Sequence, residues 1–393
     1  MPALSRVEGL TLGHDLKTRE PVTLAADHAR VLLICGKRGS GKSYTLGVLA
    51  EELFQQTPRP CVLIVDPVGI FWTMSQAADP KKPGLPAPRA RQAGLPLQLL
   101  VPGEPAKMYP ESLRAHFTRC GIAIERLTLD PAELSSDAWC ELFALSINEP
   151  LGIALSRAVQ SLAGSTTSFD LDAVEEALQR DPLSQDRTKE ALLNRLSMAK
   201  SWGLFAATSA DVTATVTPAR VNVLDLAVLD YGPQGLRSLV LAIVARRLFT
   251  HHQRLRQQAL ASAAALPKLW LLIDEAHQFI PQGSSTLAKD TLIRWVKEGR
   301  QPGLSCILAS QQPGSLEQDV LSQCDALISH KLTNLEDLQA ANRLSQAYMG
   351  SELKVYLRHL KQPGQAVLVD DARERVAMLQ VRPRRTRHGG GEL

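Results

Sequence analysis

The sequence is short of paired cysteines, of long apolar runs and of net charge, and each shortage removes a class of protein. Six cysteines (Cys35, Cys61, Cys120, Cys140, Cys306 and Cys324) lie far apart, with no C-x-x-C pair and no histidine at finger spacing. Neither a zinc finger nor a disulfide framework is predicted. Cys35, Cys61 and Cys306 sit in or beside apolar runs, where a thiol packs as a small hydrophobe. The nine histidines form no ligand constellation. No apolar stretch approaches the roughly 20 residues of a membrane span; the best, Leu239 to Ala245, stops at Arg246 and Arg247. The N-terminus lacks the apolar core of a signal peptide. A soluble, cytoplasmic protein without a membrane partner is expected. A net charge of +4 does not argue for nucleic acid, so any positive surface has to be local.

What is present is a rhythm of β-rich runs and helix-period stretches from Val31 onward. It predicts an α/β fold with a mostly parallel sheet. Strands are expected at 31–35, 61–65, 97–101, 221–229, 269–273, 304–310 and 325–332. Several are continuously apolar, as strands covered on both faces are. Leu239, Val240, Ile243, Val244 and Leu248 place one stripe on a helix from Leu236 to Arg256. Residues 77–96, rich in proline and basic side chains, read as a loop. Residues 131–215 read as a helical insertion, with an N-cap pattern at Ser135-Ser136-Asp137. The predicted organisation is a lead-in (1–30), a first core part (31–130), that insertion, a second core part (216–381) closing with a β-hairpin from 363, and a basic tail (382–393).

The strongest motif is Gly36-Lys37-Arg38-Gly39-Ser40-Gly41-Lys42-Ser43, a complete G-x-x-x-x-G-K-S between an apolar strand and a helix pattern. Glycines let backbone N–H groups turn toward phosphate oxygens, and the helix N-terminus adds its positive end. Lys42 is expected on the β- and γ-phosphates and Ser43 on Mg²⁺. Its partner is the run LWLLI followed by Asp274 and Glu275. Asp274 is expected to hold the metal through water, and Glu275 to polarise the attacking water. An N-K-x-D guanine motif is missing, so ATP is the expected nucleotide. Residues 274–277 spell DEAH, as in superfamily-two helicases, but more than half the chain separates Lys42 from Asp274 and no second motor domain follows Val381.

The ordered set Arg30, VLLICGKRGSGKS, LIVDPVGIFW, LLIDEAHQFIP and WVKEGRQPGLSCILASQQP resembles the HerA branch of the HerA–FtsK hexameric DNA-pumping ATPases, over about Leu10 to Gly389. The resemblance implies a RecA-like P-loop core working as a homohexameric ring on double-stranded DNA, with ATP between subunits. By position it implies a site role for Asp66, a polar sensor at Gln311, a basic residue at Arg300 and an arginine finger acting across the interface at Arg30. The chain departs from the pattern in three ways. About 30 residues precede the P-loop strand where larger members carry a β-barrel, and LTLGHDLKTREPVTL matches only a final ribbon. Lys37-Arg38 makes the loop interior more basic than usual, and Gln312 stands where arginine is common.

DNA contact is expected to be sequence-independent, through phosphates. Lys81, Lys82, Arg89 and Arg91 of the 77–96 loop, and Lys289 ending the 281–289 segment, are the candidates. Arg382, Arg384, Arg385 and Arg387 of the tail could serve a neighbouring subunit, a partner or nothing. The resemblance implies a nuclease or other effector partner, in DNA end processing or, for a barrel-less form, antiphage defence. The rival reading is a nucleotide-switched scaffold that regulates such an effector without moving DNA.

Overall fold

The computed structural model describes residues 9–79, 93–229, 235–262, 264–345 and 353–390. Its strands are β1 (Leu10–Asp15), β2 (Pro21–Leu24), β3 (Val31–Cys35), β4 (Cys61–Asp66), β5 (Leu97–Pro102), β6 (Ala123–Leu127), β7 (Val221–Asp225), β8 (Leu269–Ile273), β9 (Leu304–Ser310), β10 (Ala326–Ser329), β11 (Gln365–Asp370) and β12 (Arg375–Val381). They form one 12-stranded sheet in the order β2-β1-β12-β11-β10-β3-β9-β8-β4-β7-β5-β6. Every neighbouring pair from β10 to β6 is parallel. The flank from β10 to β2 is antiparallel, so the C-terminal hairpin and the N-terminal ribbon extend the same sheet.

The central strands read as unbroken apolar runs because each face has its own core. Leu33, Leu63, Leu271 and Leu308 face helices that include Leu236–Ser262 and Lys289–Glu298. Leu32, Ile64, Leu272 and Ile307 face the P-loop helix, Lys42–Phe54, through Leu46, Leu49 and Leu53. Residues 131–215 carry helices Ser136–Leu142, Pro150–Ala163, Leu171–Arg180 and Asp186–Ser201, and the Ser135 hydroxyl caps the first by accepting from Ala138 N–H at 3.2 Å.

Two strand expectations shift and one strand is new. The run 221–229 leaves the sheet at Asp225, whose carboxylate accepts from Ala227 N–H and from the Tyr109 hydroxyl. The run 325–332 is cut to four residues because His330 turns under the phosphate loop. β6 was not expected: it is an edge strand whose Glu125 and Arg126 are exposed, so its polarity hides it.

The basic tail is also corrected, for it is bound within its own chain. Residues 382–390 run as a strap across the P-loop helix, where Arg382 pairs with Glu51 and Glu52 and Arg385 with Glu52. Arg384 is 2% exposed and lies beside Glu51 and over the Tyr44 ring.

Candidate nucleotide site

The site begins where β3 ends. The chain turns through 36–41 into the P-loop helix, with Gly39 and Gly41 at φ 74° and 113°, backbone that favours glycine. Gly36 is required for space: a Cβ there would lie 2.4 Å from Ser40 Oγ and 2.7 Å from His330 Cβ. The loop is pinned to the neighbouring strand end by Lys37 N–H donating to Lys331 C=O at 2.9 Å. Lys37, Arg38 and Gly39 are exposed, while Ser40 is buried with a hydroxyl that has no partner among the described residues. Lys42 is 5% exposed, its ammonium folded back on Lys37 C=O at 3.2 Å. Burial lowers its pKa, against the pull of the Glu275 and Asp274 carboxylates.

The two halves of the motif meet. Ser43 Oγ donates to Asp274 Oδ2 at 2.7 Å, and Asp274 Oδ1 accepts from Glu275 N–H at 3.0 Å. Burial pushes the Asp274 carboxyl up to about 6, with neighbouring Glu275 raising it further and the Ser43 hydrogen bond opposing. A hydroxyl and a carboxylate beside a glycine-rich turn that enters a helix N-terminus are the hard oxygen donors that suit Mg²⁺ on a polyphosphate. The residues present therefore fit a magnesium–nucleotide. Glu275 follows with φ 48°, a left-handed conformation that costs a non-glycine residue about 1 kcal/mol or more. Gln311 Nε2, from the tip of β9, donates to Glu275 Oε1.

The remaining expected residues lie elsewhere. Asp66 stands at the end of β4, but its carboxylate is consumed by its own turn, accepting from Val68, Gly69 and Phe71 N–H at 3.1, 2.7 and 2.8 Å. Burial, then the nearby Asp225, raise its pKa to about 7. Those hydrogen bonds shape the turn that follows β4. Arg30 precedes β3, at the opposite end of that strand from the phosphate loop. Its side chain is fully buried and paired with Asp370, so it is not presented to a neighbouring subunit. Arg300 is exposed, in the turn before β9. The seven residues of β9 put it roughly 20 Å from Gln311 along the strand, out of reach of its own chain's phosphate loop. Lys289 is not a free cation, because Glu317 holds it at 2.7 Å. Lys81, Lys82, Arg89 and Arg91 fall outside the described residues.

Sequence reading missed two supports. His330, fully buried, sits beneath the cradle with Nε2 2.9 Å from Thr45 Oγ1 and Nδ1 2.9 Å from Gln365 C=O. Burial drives its pKa down to about 4, so the ring is neutral and donates from Nδ1 while Nε2 accepts. Tyr109 donates to Asp225 at the neighbouring strand end. Neither belongs to a local motif; the one available signal was a histidine closing a strand-like run.

A phosphate cradle joined to an Asp-Glu strand end on a largely parallel sheet defines a P-loop ATPase with a RecA-like core. The family model "Helicase HerA, central domain" matches residues 10–247, and the chain belongs to the HerA family. The DNA double-strand break repair helicase HerA of Pyrococcus furiosus is 29% identical over 167 residues, which is 36% of this chain and 30% of the relative. The protein of that name in Sulfolobus acidocaldarius is 24% identical over 208 residues, 51% of this chain and 41% of the relative. The chain thus spans less than half the length of either relative. Among solved structures, VirB4 of Thermoanaerobacter pseudethanolicus superposes with a TM-score of 0.59 at 17% identity, covering 98% of this chain and 99% of that one. The plasmid coupling protein TrwB, in complex with ADP and Mg²⁺, gives 0.52 at 13% identity, covering 93% and 88%. Both likenesses speak to the fold. Among the described residues, no helix is long and apolar enough to cross a membrane.

Proposed function

We propose that the chain hydrolyses ATP with Mg²⁺ to drive movement along double-stranded DNA, as a homohexamer with nucleotide at each subunit interface. The observation that carries the hydrolytic reading is the joined pair Ser43–Asp274 with Glu275 beside it, held by Gln311. In this reading Gly36 to Ser43 cradle the phosphates, Lys42 neutralises the β- and γ-oxygens, and Ser43 with Asp274 holds the metal. Glu275 takes the proton of the attacking water. The ring is supported by the exposed position of Arg300, which has phosphate to reach only on another subunit. DNA and a nuclease or effector partner come with the family resemblance, and the relatives' names point to break repair. Phosphate contact fits the proposed basic loop, and antiphage defence is the alternative setting.

The test is Glu275→Gln. The variant should bind ATP and fail to turn it over, because an amide cannot accept the proton. Hydrolysis at the wild-type rate sinks the catalytic assignment. Movement is tested separately, by displacement of a triplex-forming strand from duplex DNA under ATP; an ATPase that never displaces it is not a translocase.

A further inference from the structure

Glu275 carries a feature that its role as a base does not explain. Its side chain is 12% exposed, and one carboxylate oxygen, Oε1, is held by Gln311. The other, Oε2, is buried and accepts no hydrogen bond among the described residues. A buried carboxylate oxygen left bare is costly and calls for a partner. His277 Nδ1 lies 3.5 Å from it. That is too long for a hydrogen bond, but catalytic contacts are often long before substrate arrives and shorten afterwards.

His277 is itself fixed. The same Nδ1 lies 3.3 Å from Ser310 Oγ, and Ser310, fully buried, accepts from Gln312 N–H at 3.0 Å. The tautomer protonated at Nδ1 turns a donor toward the Glu275 carboxylate, where a lone pair would face negative charge, and the second lone pair of the Ser310 hydroxyl can accept beside it. The short 3₁₀ turn Ala276–Gln278 after the left-handed Glu275 brings this ring back toward the carboxylate.

We propose that His277 is a positioning residue for ATP hydrolysis: it holds Glu275 Oε2, and Ser310 holds His277. Consecutive residues at the tip of β9 then govern both oxygens of the base, Gln311 directly and Ser310 through the imidazole. The strand tip beside the γ-phosphate position is thereby tied to the group that activates water. This inference rests on the reading of Glu275 as the base.

The experiment compares the full-length variants His277→Ala, His277→Asn, Ser310→Ala, the double variant combining His277→Ala with Ser310→Ala, and Glu275→Gln. Each is measured for steady-state ATP hydrolysis, equilibrium binding of a fluorescent ATP analogue, and melting temperature. His277→Ala should lower kcat roughly 10- to 100-fold, the scale of a misplaced reacting group, with analogue affinity and melting temperature unchanged. His277→Asn should recover part of the loss, because its amide can donate. Ser310→Ala should cost less, and should add nothing in the double variant, where the imidazole is already gone. Wild-type kcat in His277→Ala overturns the inference, as does a loss matched by weaker analogue binding or a lower melting temperature. An active Glu275→Gln shows that the base assignment itself has failed. An inert Glu275→Gln beside a fully active His277→Ala removes only the histidine.

Discussion

Arg30 and Asp370 hold each other in the interior, the guanidinium 0% and the carboxylate 1% exposed, across 340 residues of sequence. The pair joins the start of β3 to the end of β11, and so ties the C-terminal hairpin to the strand that feeds the phosphate loop. Each partner keeps one buried polar atom, Arg30 Nε and Asp370 Oδ2, that has no hydrogen bond among the described residues. Removing one partner strands a charge, which typically costs about 3–5 kcal/mol, whereas replacing both with apolar groups is often neutral. Asp370→Ala should therefore lower the unfolding free energy by about that amount, and Arg30→Met with Asp370→Leu should recover most of it. Denaturant unfolding decides the matter. A stably folded Arg30→Ala protein that has lost only turnover would restore the arginine-finger reading.

Glu51 makes a second prediction. It is fully buried on the P-loop helix, and its carboxylate accepts from Arg382 Nη1, from Arg385 and Thr386 N–H and from the Thr386 hydroxyl, all within 3.1 Å. The strap also donates Arg384 N–H to the Tyr44 hydroxyl, one residue from Ser43. Burial pulls the Arg384 pKa down to about 10, still well above neutrality, so the strap stays charged. Glu51→Ala should destabilise by roughly 3–5 kcal/mol, and ending the chain at Val381 should do comparable harm by leaving Glu51 unpaired. The thermal midpoint reports both, and an unmoved midpoint in either rules out a structural strap.

These two networks show what the sequence could and could not disclose. Gly36–Ser43 and Asp274–Glu275 were legible because each packs its chemistry into adjacent residues, flanked by runs that identify strand and helix. The continuous apolar strands announced a two-sided core for the same reason. The surroundings of Arg30, Asp66 and the tail were not legible because a residue's type was visible while its partner was not. A lone arginine before a strand looks the same whether it reaches outward or meets Asp370. The role of the arginine run stayed open between a neighbouring subunit, a partner and nothing because Glu51 and Glu52, which neutralise it, lie more than 300 residues away. His330 was invisible for the converse reason: its partners, Thr45 and Gln365, come from separate elements.

His330 gives a pH prediction with a definite sign. Its folded pKa, about 4, lies below the ordinary 6.5 because burial disfavours the imidazolium. In the window between those values the unfolded chain binds the proton more strongly. The stability due to the neutral ring is thus complete above pH 6.5 and is lost as pH falls toward 4, by roughly 3 kcal/mol in all. Asp66 and Asp274 are raised, to about 7 and about 6, and work in the opposite direction: their contribution is present in acid and is lost as pH rises through those values. The difference between wild type and His330→Asn isolates the histidine. That difference should shrink as pH falls from 6.5 to 4, and a constant gap in unfolding free energy across the window contradicts a buried neutral ring.

Arg300 offers the sharpest test of the ring. It is exposed, and β9 sets it roughly 20 Å along the strand from its own Gln311. If it neutralises phosphoryl charge, it does so on a neighbour's nucleotide, where removing a transition-state guanidinium can cost about 10³-fold or more. Arg300→Ala alone should be folded, able to bind nucleotide and nearly inert. Lys42→Ala alone should be inert because its cradle lacks the ammonium. Mixed and allowed to exchange subunits, the two should regain activity, since some interfaces pair an intact Lys42 site with an intact Arg300. The recovered rate should depend on mixing ratio and peak between the pure samples. If every mixture stays as inactive as its components while subunit exchange is verified, Arg300 does not act across an interface.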